Sequence, residues 1–354
     1  MERYIAVDAG KFAVKACEYQ KEEDKVVDFT FQTKMSDGDF RDDALEKNTY
    51  LAEINGVTYK IGNGARGTGA DLETSKATDI HRICTMFAIS HFCSADEVDT
   101  VNIAVGLPCK EWAVVAKRED FREYMFAEKD ITITIKESSS EEPVTKHFVI
   151  NQTFVFPESI GALFQDDSPK IHPSTYVGVL DIGNLNLNAS VWLGGELIQD
   201  DTITDELGGS TIVQGLSQEL SATFSRCSEG LVAQLIAKKP ENRYLTPANK
   251  DKEVMENSKL LIDKYLLEHA KKIKRCCDGR KWSLDYMKLI AIGGGSTILK
   301  TELMEVFGEN LTILSCPSFA NAYGYLRMEC SRIPEIGKVI PLPQKIKKET
   351  AGKE

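Results

Sequence analysis

The chain has 354 residues, which at about 150 residues per domain suggests two domains, and its 42% hydrophobic and 27% charged residues suit a globular protein with a large core. Asp plus Glu (54) outnumber Lys plus Arg (43), a net charge of −11 that lacks the basic footprint of direct nucleic-acid binding and suits anionic membrane surfaces badly. No apolar run approaches the ~18 residues of a membrane span, and the start, Met1-Glu2-Arg3-Tyr4, is not expected to be a secretory signal.

Tyr4-Ile5-Ala6-Val7-Asp8 is an apolar β run ending in an acid, and Phe12 to Tyr19 resumes an extended pattern. The two predict a hairpin turning at Ala9-Gly10-Lys11, followed by a third strand near Val26–Thr33. Residues 36–48 read as a polar surface loop, and Val57–Ile61 as a strand after the Asn55-Gly56 turn. Helical spacing covers 76–93, where Ile80, Ile83, Cys84, Phe87, Ala88 and His91 recur as a buried helix, a reading that outweighs a metal site of His81, Cys84, His91 and Cys93. The nine Cys of the chain are odd in number and scattered, as expected in a reducing cytoplasm. A strand at Thr100–Val105, a helix over 109–126 and a strand pair at 131–135 and 145–150 around the polar loop 137–143 complete the first half.

The second half repeats this grammar. Val177-Gly178-Val179-Leu180-Asp181 is again an apolar strand ending in an acid, with Gly183 after it, and strands at Asn186–Trp192 and Glu196–Thr204 follow. Helices are predicted over 210–225, 228–238 and 250–275; the last ends in basic residues before Cys276-Cys277, whose thiols could be depressed by that charge or could simply end a helix. A strand at Met287–Ile292 runs into Gly293-Gly294-Gly295-Ser296, with a helix from Thr297 and a last one over 318–331. The proline- and lysine-bearing stretch 332–354 is expected to be a disordered tail. The two acid–x–Gly turns lie 181 − 8 = 173 residues apart, about half the chain, which signals an internal duplication, although such turns are common in hairpins.

Gly62-Asn63-Gly64-Ala65-Arg66-Gly67 matches a dinucleotide-binding spacing, but no acid stands about twenty residues on, and Thr68 replaces the lysine of a phosphate loop. The Asp-x-Gly hairpins are more promising. Backbone N–H groups of a glycine turn can cradle phosphates, and the preceding acid can hold Mg²⁺ through water. Gly293-Gly294-Gly295-Ser296, at a strand end that opens a helix, allows the close approach of a ligand.

In order, Ile5–Lys11, Phe156-Pro157-Glu158-Ser159-Ile160-Gly161-Ala162, Leu180–Asn186, Ile290–Ser296 and Pro317–Gly324 resemble the five motifs of the actin-type ATPase superfamily. Val105-Gly106-Leu107-Pro108, Ile61-Gly62-Asn63-Gly64-Ala65 and Pro157–Ala162 are most similar to ParM and related bacterial plasmid-segregation proteins. The resemblance implies an α/β actin-like fold of two duplicated ribonuclease-H-like domains around a nucleotide cleft: residues 1–160 with closing helix 318–331, and residues 161–317. It also implies that Asp8 and Asp181 hold hydrated Mg²⁺, that Gly10, Lys11, Gly183 and Asn184 bind phosphates by backbone groups, and that Lys15 adds charge. Glu158 would orient the attacking water, although Pro157 before it also suits an acid at a helix N-terminus. Asn186, Gly208, Gly209, Ser210, Lys259, Gly293, Gly294, Gly295 and Ser296 are further nucleotide contacts by the same resemblance. Ala9 and Lys11 depart from the small polar residues usual in the first turn, as Asn184 and Asn186 do in the second. The implied activity is hydrolysis of ATP, or GTP, coupled to homopolymer filaments. Plasmid DNA would then be reached through a DNA-binding adaptor, with no direct nucleic-acid or membrane contact, in the cytoplasm. A small-molecule, sugar-type kinase of the same fold, or a chaperone- or division-associated ATPase, is the alternative.

Overall fold

The computed structural model describes residues 1–42, 45–67, 69–70, 75–137, 142–336 and 338–343. In chain order the first half contains β1 (Glu2–Ala9), β2 (Ala13–Gln20), β3 (Lys25–Gln32), β4 (Met35–Asp37), β5 (Thr49–Ile54), β6 (Val57–Gly62), α1 (Asp79–Phe92), β7 (Val98–Leu107), α2 (Cys109–Trp112), α3 (Val115–Phe126), β8 (Asp130–Lys136) and β9 (Val144–Pro157). The second half contains β10 (Tyr176–Ile182), β11 (Leu187–Leu193), β12 (Glu196–Asp205), α4 (Gly209–Thr223), α5 (Glu229–Ile236), α6 (Lys252–Gly279), β13 (Lys288–Ile292), α7 (Gly294–Ile298), α8 (Lys300–Phe307), β14 (Leu311–Ile313) and α9 (Ala320–Ser331).

Two units divide the chain. The first comprises residues 1–107, 114–167 and 314–354. Its nine-stranded sheet runs β3-β2-β1-β7-β9-β8-β5-β6-β4. Ile5, Ala6 and Val7 of β1 are each fully buried, and because neighbours in a strand point to opposite faces, both faces of this strand are covered. Helices α1 and α9 pack against β1.

The second unit comprises residues 108–113 and 168–313, with a five-stranded sheet in the order β12-β11-β10-β13-β14. Its core joins Leu180, Ile182 and Leu187 of the hairpin to Ile212 and Leu216 of α4 and Ile262 and Leu266 of α6.

The duplication is explicit in the pairing. In the first unit β1–β2 and β2–β3 are antiparallel while β1–β7 and β7–β9 are parallel. The second unit repeats this with β10–β11 and β11–β12 antiparallel, and β10–β13 and β13–β14 parallel.

Several boundaries differ from the sequence expectation. The first helix begins at Asp79 rather than 76, leaving Lys76 in the bend that approaches it. The stretch expected as one helix over 109–126 is two, separated at Ala113 and Val114. Residues 161–167 and 314–317 stay with the first unit instead of the second. The reason is packing: a Cβ on Gly324 would lie 2.2 Å from the Gly161 Cα, so the turn at 160–164 and α9 meet backbone to backbone. Residues 332–336 and 338–343 are not a loose tail. Ile333, Ile336 and Ile340 are buried, and Arg327 Nη2 donates to the Ile340 carbonyl at 2.8 Å. The rest of the expected tail, 344–354, lies outside the described residues, as does Thr68.

Candidate functional site

In the first unit β1 reaches Asp8, and the chain reverses through Gly10 into β2, the Gly10 amide donating to the Asp8 carbonyl at 3.0 Å. Thr33 Oγ1 pins the turn by donating to the Gly10 carbonyl at 2.6 Å. A Cβ at Gly10 would stand 2.8 Å from the Ala13 carbonyl oxygen and 3.2 Å from Lys15 Nζ, so the turn has room for glycine alone. Register places Asp8 opposite Lys15, bringing an acid and a base to one face of the hairpin.

Glu158 follows the last residue of β9 and its amide donates to the Leu107 carbonyl at 2.8 Å. It stands at a strand end, not in the first turn of an α-helix; a single 3₁₀ turn starts at Ile160. Ser159 is held at φ 72°, a left-handed conformation costly for a residue with a side chain, and its amide donates to Asn321 Oδ1 at 3.0 Å. Strain of this kind persists where surrounding contacts over-determine it, and here α9 supplies the contact that aims the Glu158 backbone.

Between these two carboxylates lies Lys76, which the sequence reading did not single out. Its Nζ is 2.5 Å from Glu158 Oε1 and 3.4 Å from Asp8 Oδ1. All three side chains are desolvated, Lys76 7% exposed, Asp8 11% and Glu158 9%. Burial lowers the Lys76 pKa, but the charges of Glu158 and Asp8 reverse this and hold it above the ordinary value, so the side chain is an ammonium. Behind it, Val7, Val105, Phe121 and Met125 line a cavity of about 10 Å³ together with His81 and Thr85. His81 accepts or donates at Nδ1 toward Thr78 Oγ1 at 2.8 Å. Burial, helped by the Lys76 and Lys11 charges, lowers its pKa to about 3, so it is neutral.

In the second unit the equivalent acid is Asp181, opposite Asn188 across the hairpin. The Gly183 amide donates to the Asn186 carbonyl at 2.9 Å, and the carbonyls of Gly183 and Asn184 accept from the amides of Gly209 (3.0 Å) and Ser210 (2.6 Å). Gly208 N–H donates to Leu185 at 3.1 Å, and a Cβ there would lie 2.5 Å from the Asn184 oxygen. The turn thus caps α4 with its own carbonyls. The Gly10 and Gly183 amides, expected to face phosphate, serve within their own turns in this structure.

Gly293 joins the same end of the sheet. It takes φ +82°, and a Cβ on it would sit 2.4 Å from the Ile182 carbonyl oxygen and 2.8 Å from Asp181 Oδ1. Gly295 packs on Ile182, Ser296 Oγ donates to the Gly293 carbonyl at 2.8 Å, and Gly294 has open space where a Cβ would stand. Lys259, on α6, pairs instead with Asp263 one turn on and is half-buried. Cys276 Sγ donates to Asp205 Oδ2 at 3.3 Å and its thiol is pushed up to about 11 by burial, so it is not an activated thiolate. The glycines from 62 to 67 serve backbone packing: Gly62 has φ +94°, and a Cβ on Gly67 would lie 2.0 Å from the Met35 carbonyl oxygen.

Within each unit the acid at the hairpin suits a hard, hydrated cation. Asp8 and Asp181 are single carboxylates beside glycine turns, and Gly293 leaves the space that a Cβ would take at Asp181. Among the described residues no group of three or more His, Cys, Asp or Glu gathers to hold a metal directly. Mg²⁺ keeps several waters and needs only one or two carboxylates with substrate phosphates, so each of these acids, taken in its own unit, fits it.

Two sheets that share a core topology, each led by a hairpin with an acid at its strand end, are the actin-like fold. Residues 6–161 match the family model of the N-terminal domain of actin-like proteins. The Alp12 filament structure shares 22% identity over 94% of this chain and 99% of its own, with a TM-score of 0.68. A 15-stranded ParM filament from Clostridium botulinum aligns at 18% identity over 93% and 99%, TM-score 0.67. The archaeal actin homologue Ta0583 in complex with ADP aligns at 17% over 93% and 99%, TM-score 0.69. No curated protein matches the chain. Among the described residues no helix is long and apolar enough to cross a membrane.

Proposed function

We propose that this chain is an actin-like nucleoside triphosphatase that binds ATP with Mg²⁺ and assembles with itself into nucleotide-dependent filaments. The observation that carries the reading is Glu158: a buried carboxylate at a strand end, aimed by a strained Ser159 that Asn321 holds, and tied through Lys76 to Asp8. Its support in the comparisons is that Alp12 and a ParM occur as filaments and that an archaeal homologue binds ADP.

Phosphoryl transfer to water asks mainly for positioning and charge neutralisation. Asp8 and Asp181 would hold the hydrated cation; Mg²⁺, when bound with nucleotide, supplies positive charge to the phosphates. Glu158 would orient and polarise the attacking water. Lys11 and Lys15 would add positive charge at the first turn, and the open space at Gly294 would admit the nucleoside. The filament would act in the cytoplasm in plasmid DNA segregation. With a net charge of −11 the chain would reach DNA through a basic adaptor rather than by touching it.

Light scattering and electron microscopy after adding ATP or GTP with Mg²⁺, alongside phosphate release, test the reading. A nucleotide-dependent rise that decays as phosphate appears supports it. No polymer at high protein concentration, together with phosphorylation of an added sugar, would replace it with a kinase.

A further inference from the structure

We infer that Lys76 and a divalent cation compete for Asp8, and that Lys76 stays on Glu158 and positions it when the cation takes Asp8. The inference rests on the reading of Asp8 as a cation-holding carboxylate and adds a residue that no motif of the sequence marks.

Two observations carry it. Lys76 is the ammonium shared by two buried carboxylates, and the sharing is unequal: 2.5 Å to Glu158 and 3.4 Å to Asp8. The looser partner is the one at the glycine turn, so Asp8 can be given up while Glu158 is kept. In addition, Lys76 does not come from the hairpin that carries Asp8. It precedes α1, where Thr78 starts the helix through its carbonyl to the Arg82 amide at 3.0 Å. Lys76 can thus part from Asp8 without disturbing the β1–β2 turn.

A cation at Asp8 would then leave Lys76 donating to Glu158 alone. That contact would fix the carboxylate's orientation, making Lys76 a positioning residue rather than a catalytic one.

Mn²⁺ titration of the full chain without nucleotide, followed by loss of the free-ion electron paramagnetic resonance signal, tests the competition. Lys76→Met should bind Mn²⁺ at least tenfold more tightly than wild type, Lys76→Arg should bind as wild type does, and Lys76→Met with Asp8→Asn should lose the gain. Equal Mn²⁺ affinity in Lys76→Met and wild type overturns the inference. If Lys76→Met does not fold alone, circular dichroism during Mn²⁺ addition replaces the titration: recovery of helix supports the inference, and a chain still unfolded at millimolar Mn²⁺ overturns it. A fluorescent ATP analogue on the same samples separates the two readings. Wild type that fails to bind it removes the proposed function, whereas the Mn²⁺ comparison still decides the role of Lys76.

Discussion

Asp8 and Asp181 hold equivalent places, each the next-to-last residue of the strand that leads its unit's hairpin. Their cross-strand neighbours differ: Asp8 stands opposite Lys15, Asp181 opposite Asn188. The duplicated frame is therefore electrostatically unequal. In the first turn Lys11 and Lys15 stand near Asp8 with the Lys76 ammonium, and in the second the backbone packs closely at Gly208 and Gly293.

Glu158→Ala should abolish phosphate release and leave nucleotide-driven assembly intact or prolonged. Phosphate release and light scattering on one sample check it, and unchanged hydrolysis would remove Glu158 from its role.

Gly293→Ala should destabilise the chain by about 1–3 kcal/mol, because a Cβ at φ +82° meets the Ile182 carbonyl. Gly294→Ala, with open space around it, should change stability by less than about 0.5 kcal/mol. Urea unfolding of the pair reads the difference.

Arg243 is buried, donates to Glu302 Oε1 at 2.9 Å and to the Ile298 carbonyl at 2.9 Å, and so ties the segment before α6 to the end of α7. Arg243→Ala should lower stability by about 3–5 kcal/mol by leaving Glu302 buried without its cation. Arg243→Met combined with Glu302→Leu should recover much of that loss in the same unfolding assay.

Acid should weaken the first unit through His81. Its pKa is about 3 in the fold against an ordinary 6.5, so the unfolded chain takes up a proton that the folded chain refuses. That stability is present in full above pH 6.5 and declines as pH falls toward 3, by about 1.4 kcal/mol per unit. Urea unfolding between pH 6.5 and 5 should show this slope, and His81→Leu should flatten it in part. His269, also held below its ordinary value by burial, acts in the same direction.

Lys259→Ala removes a half-exposed pair with Asp263 and should cost less than about 0.5 kcal/mol in thermal melts. If Lys259 meets the nucleoside, ATP affinity should fall at unchanged stability; unchanged affinity assigns it to the helix surface.

Much of the frame was legible in the residues alone. Two apolar runs ending in Asp8 and Asp181, each followed by a glycine and two further strands, were enough to predict the repeated hairpins, because a strand covered on both faces reads as a continuous hydrophobic run. Strand β5 was hidden beside the polar residues before it, and β14 has only three residues, too few for any period to show. The stretch 332–343 reads as a tail because its prolines and lysine mask Ile333, Ile336 and Ile340, whose burial shows no local period.

By itself, then, the sequence determined the repeated strand-and-turn units and the acids at their ends, since alternation, glycine and burial are local properties of the chain. Tertiary structure alone decided which charge meets which. Lys76 lies 68 residues from Asp8 and 82 from Glu158, and Asn321 lies 162 from Ser159. No local pattern encodes such partners; they are set where β1, β9, α9 and the approach to α1 converge on one buried, low-dielectric site.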